Sequence, residues 1–397
     1  MAQIRLSLHV PIRRTHEMLS ESKGKVLFIA SVYNHLAAFH KPFMRLLQDK
    51  GYEVHSAASS SSGRMNEIDD LGVKCWDIPF CRSPYNPQNL EAYRKLKMLL
   101  SDSSFDLIHV HTPTAAFMTR WIARKLRSNP VLYTAHGFHF YDGAPLKNWV
   151  VYYTAERIVA RWTNGLIVMN EEDHKTACRM GFTPNENLFH VHGVGVSLED
   201  YSPVPTETPV RTELGIGKSD VVITCVAELS KRKNQAFLLD AWEKLSLQNP
   251  QIHLLLIGKG NQEENLKQRV SRRNLERVYF LGYCKDVPRI LRGSDIVTLV
   301  SKHEGLPRCV MEAMAIGRPV VGTDIRGIRD LVSNGQTGTL VQLGDVDGLC
   351  VALEELIHDE QKRISMGQTA RQKIEAYSLE QVLEEMSLVY ARYLDID

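Results

Sequence analysis

Residues 294–324 read SDIVTLVSKHEGLPRCVMEAMAIGRPVVGTD. SDIVTLVS (294–301) is a short apolar run rich in β-branched residues, and PVVGTD (319–324) is another; such runs suit strands buried on both faces of a parallel sheet. Between them Pro307 suits the first position of a helix and Gly317 its stop, while Val310, Met311, Met314 and Ala315 follow a helical spacing. Strand, helix and strand in succession make one crossover unit.

The same rhythm runs outward in both directions. KVLFIA (25–30) is a strand, followed by a loop SVYNHLAAFH (31–40) and a helical HKPFMRLLQDKGY. EVHSAA, DLIHVH (106–111), VLYTAHG (131–137) and GLIVMN (165–170) follow as strands, separated by amphipathic segments such as NLEAYRKLKMLLS and AAFMTRWIARKLR. GVGVSLEDYSPVPTETPVR (193–211) breaks the pattern with Gly, Pro and acidic residues and reads as a linker. The strands then resume with VVITCVAEL (221–229), IHLLLIG (252–258), RVYFLGY (277–283) and TGTLVQ (337–342). Two Rossmann-like α/β domains in tandem follow, facing each other across a cleft, because ligands of open sheets sit beyond the carboxyl ends of their strands. The expected boundaries are a disordered lead-in at 1–24, a first domain at 25–200, a second at 201–377 and an amphipathic helix at 378–397. Ser378 is a plausible N-cap of that helix, which is expected to cross back to the first domain.

Composition is that of a globular enzyme. Of 397 residues 44% are apolar and 24% charged, with 48 Lys and Arg against 46 Asp and Glu. Charge is uneven: residues 1–161 carry 21 basic and 13 acidic residues, leaving 27 and 33 for the rest. A basic front half suits an anionic partner. The seven cysteines (75, 81, 178, 225, 284, 309 and 350) include no C-x-x-C pair, which points to reduced thiols rather than a disulfide frame or a zinc site. No apolar run approaches the ~18–20 residues of a membrane span, and the first 25 residues lack a signal-peptide core.

The helix start at 307 poses a chemical question. Unpaired N–H groups and the positive end of the helix dipole suit phosphate, yet Glu304 and Glu312 flank that start. Carboxylates repel phosphate but accept strong hydrogen bonds from hydroxyls. A ligand that carries both a diphosphate and many hydroxyls, a nucleotide sugar, satisfies both features.

Glu304 and Glu312, with seven residues between them, within EGLPRCVMEAMAIGRPVVGTDIRGIRDLV, resemble the signature of the retaining family-four glycosyltransferases, which have the GT-B fold. FDLIHVHTP, TAHGFHFYDGAPLKNW, VAELSKRKNQ, LLLIGKG and FLGYCKDVPRIL stand in that family's order. HGFHF and EGLPR are similar to the bacterial capsule and exopolysaccharide branch, the EpsD-type enzymes. The resemblance implies that Glu312 binds ribose hydroxyls and Glu304 the donor sugar. Backbone at Gly305, Leu306, Arg308 and Cys309 would approach the sugar and diphosphate, and Lys233, with Arg232 beside it, would neutralise the diphosphate. His136 would meet the donor sugar near the reacting centre, with His139 its rival, and Tyr283 would lie at the uracil pocket. Asn34 and His35 stand where the family often has a glycine pair near the β-phosphate and acceptor. One departure is Glu228, at a position where the family usually carries a diphosphate-binding Arg.

The implied reaction is retaining transfer from a UDP-sugar, with GlcNAc or GalNAc foremost, to a polyprenyl-diphosphate-linked or other glycan acceptor in surface polysaccharide synthesis. No cofactor and no metal are expected, nor any nucleic-acid partner. A cytoplasmic location is expected, peripheral on the inner face of the cell membrane, because Arg94, Lys95, Lys97, Arg120, Arg124, Lys125 and Arg127 alternate with apolar residues and can meet anionic lipid. Solvated amphipathic helices are the plain alternative for that stretch. A sugar-nucleotide epimerase or a non-catalytic UDP-sugar-binding protein are the competing readings; a nicotinamide enzyme would need a full glycine fingerprint, and Gly258-x-Gly260 lacks the third glycine.

Overall fold

The computed structural model describes residues 22–127, 130–203 and 209–396. Most of the expected lead-in, residues 1–21, lies outside them; Ser22 to Gly24 already hydrogen-bond to the turn before Glu53. The first sheet comprises β1 (Lys25–Val32), β2 (Glu53–Ser59), β3 (Lys74–Asp77), β4 (Leu107–His111), β5 (Val131–Ala135), β6 (Gly165–Val168) and β7 (Leu188–His190). The second comprises β8 (Val221–Val226), β9 (Ile252–Ile257), β10 (Val278–Gly282), β11 (Ile296–Leu299), β12 (Val320–Thr323) and β13 (Gly338–Val341). Every pairing is parallel, in the orders β3-β2-β1-β4-β5-β6-β7 and β10-β9-β8-β11-β12-β13. Central strands are buried along their length, so both faces need apolar residues, as the uninterrupted runs foretold.

Three local expectations are corrected. The stretch 31–40 is a helix from Tyr33 to Phe39, not a loop. Its inner face buries Tyr33, Leu36 and Ala37, and the Tyr33 hydroxyl donates to the carbonyls of Ser56 (3.2 Å) and Trp76 (3.0 Å). Pro307 is the N-cap of the helix Arg308–Ala315 rather than its first residue. The edge strands β3 and β7 went unread, because a half-exposed edge needs no continuous apolar run.

The chain crosses between the domains twice, and the crossings run side by side. Val196 N donates to Tyr377 O and Leu379 N to Val196 O, both at 3.0 Å. Gly195 adopts φ +76° there, and a Cβ on it would stand 2.7 Å from Leu379 Cα, so the close approach requires glycine. After the second crossing the helix Leu379–Tyr390 returns to the first domain. Its Val382, Met386, Val389 and Tyr390 enter the same apolar cluster as Val26, Phe28 and Leu107. The Tyr390 hydroxyl lies 3.0 Å from His109 Nδ1, whose other ring nitrogen bonds Thr134 at 2.7 Å. His109 is therefore a core histidine joining β4, β5 and the final helix.

Candidate active site

Both sheets reverse their order beside the first strand of each domain, at β1/β4 and β8/β11. Loops leaving those strands diverge and leave a crevice at their carboxyl ends. The two crevices face each other and enclose a cavity of about 560 Å³. Its first-domain wall includes His35, His136 and His139; its second-domain wall includes Arg232, Lys233, His303, Glu304 and the segment 305–309.

The domains touch at the floor of this cavity through two glycines. A Cβ on Gly305 would lie 1.6 Å from His136 O, and one on Gly137 would lie 2.8 Å from Gly305 Cα. Any side chain at either position would push the domains apart. Arg326, buried after β12, fastens the same contact. Its guanidinium donates to Asp173 Oδ1 (2.7 Å) and Phe138 O (3.0 Å) of the first domain, and to Glu304 O (2.9 Å) of the second. Asp173 also accepts from Phe138 N (3.1 Å) and Asn170 Nδ2 (2.9 Å).

Glu304 follows β11 and is buried. Lys233 Nζ lies 2.6 Å from its Oε1 and Arg232 NH1 lies 3.1 Å from Oε2. Burial alone would favour the neutral acid, but the two cations outweigh it and hold the carboxyl below its ordinary value. Glu304 thus gathers two positive groups at the start of the helix Arg308–Ala315, where the first N–H groups have no partner within the helix.

Glu312 differs. It sits one turn inside that helix, buried and absent from the cavity wall, with Arg308 Nε at 3.0 Å and the Tyr201 hydroxyl bonded to it. Burial pushes its carboxyl up despite Arg308. Arg308 also donates to Ala38 O of the first domain at 3.1 Å. The two carboxyls are therefore shifted in opposite directions from the ordinary value.

His136 leaves the end of β5 and half faces the cavity, its ring edge-on to His35 with centroids 4.7 Å apart. Burial brings its imidazole down to about 4, so it is neutral at physiological pH. His139 lines the wall farther out, against Tyr152. Gly305, Leu306, Arg308 and Cys309 all line the cavity. Burial raises the Cys309 thiol to about 12, which removes it as a nucleophile.

Other expected residues lie elsewhere. Asn34 accepts from Arg64 at 3.0 Å and does not line the cavity. Tyr283 is 65% exposed, neither packed nor on the wall. Glu228 is exposed and also off the wall, so Arg232 is the guanidinium that stands beside Lys233. Reading the sequence missed Arg326, Asp173, His303 and Tyr201. Arg326 had one available signal: it follows a strand end, in TDIRGIRD, on the cleft side of the sheet. His303, stacked on Tyr141 with centroids 5.0 Å apart and lowered to about 4 by burial, adjoins Glu304 and offered no other pattern.

Comparison with known proteins places this architecture. The description "Glycosyl transferases group 1" matches residues 207–373, and "Glycosyl transferase 4-like domain" matches residues 42–192. Across 378 residues the chain is 35% identical to the Bacillus subtilis (strain 168) protein described as glycosyltransferase EpsD, covering 94% of this chain and 98% of that one. The chain is a group 1 glycosyltransferase. This glycosyltransferase is also 28% identical, over 83% of its own length and 86% of the relative's, to an Escherichia coli enzyme. That enzyme is named UDP-Gal:alpha-D-GlcNAc-diphosphoundecaprenol alpha-1,3-galactosyltransferase. Among solved structures, Anabaena HepE in complex with UDP and glucose superimposes with a TM-score of 0.77 at 20% identity, over 93% of this chain and 100% of that one. The glycosyltransferase shares the two-domain GT-B architecture with that neighbour.

Proposed function

We propose that this glycosyltransferase moves a sugar, GlcNAc or GalNAc foremost, from a UDP-sugar to a lipid-linked glycan acceptor, with retention at the anomeric carbon, in surface polysaccharide synthesis. The observation that carries the reading is the pair of cations that Glu304 holds at a helix start inside the interdomain cavity. In this reading the donor diphosphate lies across Lys233, Arg232 and the N–H groups of Leu306, Arg308 and Cys309. Charge that develops on departing UDP meets donors already in place, so little reorganisation is needed as the bond breaks. Glu304 would accept from donor-sugar hydroxyls, and Glu312, freed from Arg308, from ribose hydroxyls. His136, uncharged, would donate a hydrogen bond near the reacting carbon.

The carboxylate set supports a mechanism without a glycosyl-enzyme. Double displacement needs two carboxyls about 5–5.5 Å apart around the bond. Glu304 is the one carboxylate on the described cavity wall, and it already carries two cations. The same donor set leaves no free carboxylates for a diphosphate-bound divalent ion, so the protein's own cations would meet the diphosphate charge.

A lipid-linked acceptor agrees with the outer surface of the first domain. The neighbouring helices Asn89–Asp102 and Pro113–Leu126 expose Arg94, Lys95, Lys97, Arg124 and Lys125 around Met98 (61% exposed) and Trp121, and Arg127, just past the second helix, is exposed as well. Arg120 is excluded from that surface: it is buried, with Glu156 at 2.9 Å and the Tyr133 ring at 4.2 Å. Among the described residues no helix is long and apolar enough to cross a membrane. Each surface cation near an anionic leaflet contributes ~1 kcal/mol. Co-sedimentation with phosphatidylserine vesicles is therefore expected at low salt and lost at high salt; protein that stays in the supernatant throughout would favour a water-soluble acceptor.

The test of function is product analysis. UDP-GlcNAc and UDP-GalNAc are supplied with a polyprenyl-diphosphate-linked sugar, and the new linkage is read by NMR. An α-linkage from an α-donor is expected; a β-linkage, or donor epimerised without any acceptor, would overturn the reading.

A further inference from the structure

The carboxyl ends of β1, β4 and β5 are adjacent in the first sheet, and each delivers histidine to one spot. His35 and His40 come from the helix after β1 and its end, His111 closes β4, and His136 follows β5. One ring nitrogen from each of the four lies within 4.8 Å of the others. His40 and His111 are almost completely buried, whereas His35 and His136 open onto the cavity. Both nitrogens of His111, Nδ1 of His40 and Nε2 of His136 have no hydrogen-bond partner among the described residues. Buried polar atoms are rarely left so, and here they cluster. We propose that these four imidazoles form a binding site for a late first-row divalent cation of the Zn²⁺ class.

The geometry suits that ion. Tetrahedral ligands at ~2.0–2.1 Å stand about 3.3–3.4 Å apart, and His35 Nε2 and His40 Nε2 are 3.3 Å apart. Ring centroids around such an ion stand about 5 Å apart. The pairs His35–His136, His35–His40, His40–His136 and His111–His136 measure 4.7, 5.1, 5.2 and 5.6 Å. The stacked pair His40–His111, at 3.7 Å, must open by about 1.5 Å to reach that spacing, and His35–His111, at 6.1 Å, must close by about 1 Å. An all-imidazole set selects Zn²⁺, Ni²⁺, Cu²⁺ or Co²⁺ over the oxygen-seeking Mg²⁺ and Ca²⁺. Burial lowers all four pKa values, so each ring offers a lone pair at neutral pH. The ligands are neutral, and an anionic substrate in the cavity is the natural counter-charge.

No metal was expected from the sequence, and the histidine site departs from that expectation; it lies on the wall opposite the diphosphate subsite and is tested separately from the donor reading. Its test uses the untagged full chain, stripped with chelator and titrated with Co²⁺. We expect one equivalent to give the intense visible absorption of tetrahedral, nitrogen-ligated cobalt, displaced by Zn²⁺ and not by Mg²⁺. His40→Gln and His111→Gln should each weaken binding at least tenfold. His190→Gln, at the surface histidines His174, His190 and His192, should leave it unchanged. Should either cluster variant fail to fold, X-ray absorption on the Zn²⁺-loaded wild type counts the ligands directly, and four imidazoles are expected. A weak six-coordinate spectrum, fewer than three imidazoles, or binding lost in His190→Gln alone would overturn the site. None of these readings requires turnover, so failure of the transfer assay leaves them intact.

Discussion

Lys233→Ala is expected to lower kcat by about 10²–10³-fold, the usual effect of removing one preorganised donor that faces developing negative charge. Lys233 is buried, sits 2.6 Å from Glu304 and lines the cavity from the second domain. Its ammonium is positioned before any ligand arrives, because Glu304 Oε1 fixes it while Arg232 holds the other carboxylate oxygen. Loss of the ammonium removes one charge from the diphosphate subsite and leaves Glu304 with Arg232 alone. Substrate affinity should fall by less than kcat, since the charge on the leaving group grows only as the bond breaks. Steady-state release of UDP from wild type and variant measures both. A loss smaller than threefold would mean that the diphosphate lies elsewhere.

Arg326→Met is expected to destabilise the protein by about 3–5 kcal/mol, the cost of leaving a buried charge without its partner. Arg326 and Asp173 are 5% and 1% exposed. Removing the guanidinium leaves the carboxylate of Asp173 in a dry contact between the domains, with only Asn170 and the Phe138 N–H bonded to it. It also frees the carbonyl of Phe138, which loses its bond across the cleft, and that of Glu304 within the second domain. Arg326→Met combined with Asp173→Asn should cost less than the sum of the two changes, because the stranded charge is gone. Denaturant unfolding of the four proteins in this cycle gives the coupling. Additive losses would show that the pair does not hold the domains together.

The contrast between these two arginine and lysine sites shows what a sequence exposes. Lys233 and Glu304 are far apart in the chain, but each stands in a short pattern at the end of an apolar run, and strand ends point to the cleft in any open sheet. Arg326 and Asp173 are separated by 153 residues and belong to different domains. Nothing local in either segment signals that they meet, since the contact depends on how two completed sheets face each other. Central strands were legible for a similar reason: burial on both faces writes a continuous apolar run. The helix Tyr33–Phe39 was not, because it begins directly after β1 with no polar break, and its Gly-free segment carries no turn signal. Tyr283 misled in the opposite way. Its backbone follows a strand end, but its ring projects outward. His35 and His136 were singled out separately, but the cluster of four was not legible, because its members lie on three distant segments that only the strand order brings together.

The proposed function rests on a uridine diphosphate sugar binding in the cavity between the domains, through the Glu304 and Glu312 segment. Calorimetric titration tests it most directly, with UDP, UDP-GlcNAc, UDP-GalNAc, GDP-mannose, ADP-glucose and NAD applied to wild type and to Glu312→Ala. One site per chain is expected for the uridine ligands only, weakened at least tenfold when Glu312 is lost. Binding of NAD or GDP-mannose in preference to UDP, or UDP binding that Glu312→Ala leaves unchanged, would contradict it.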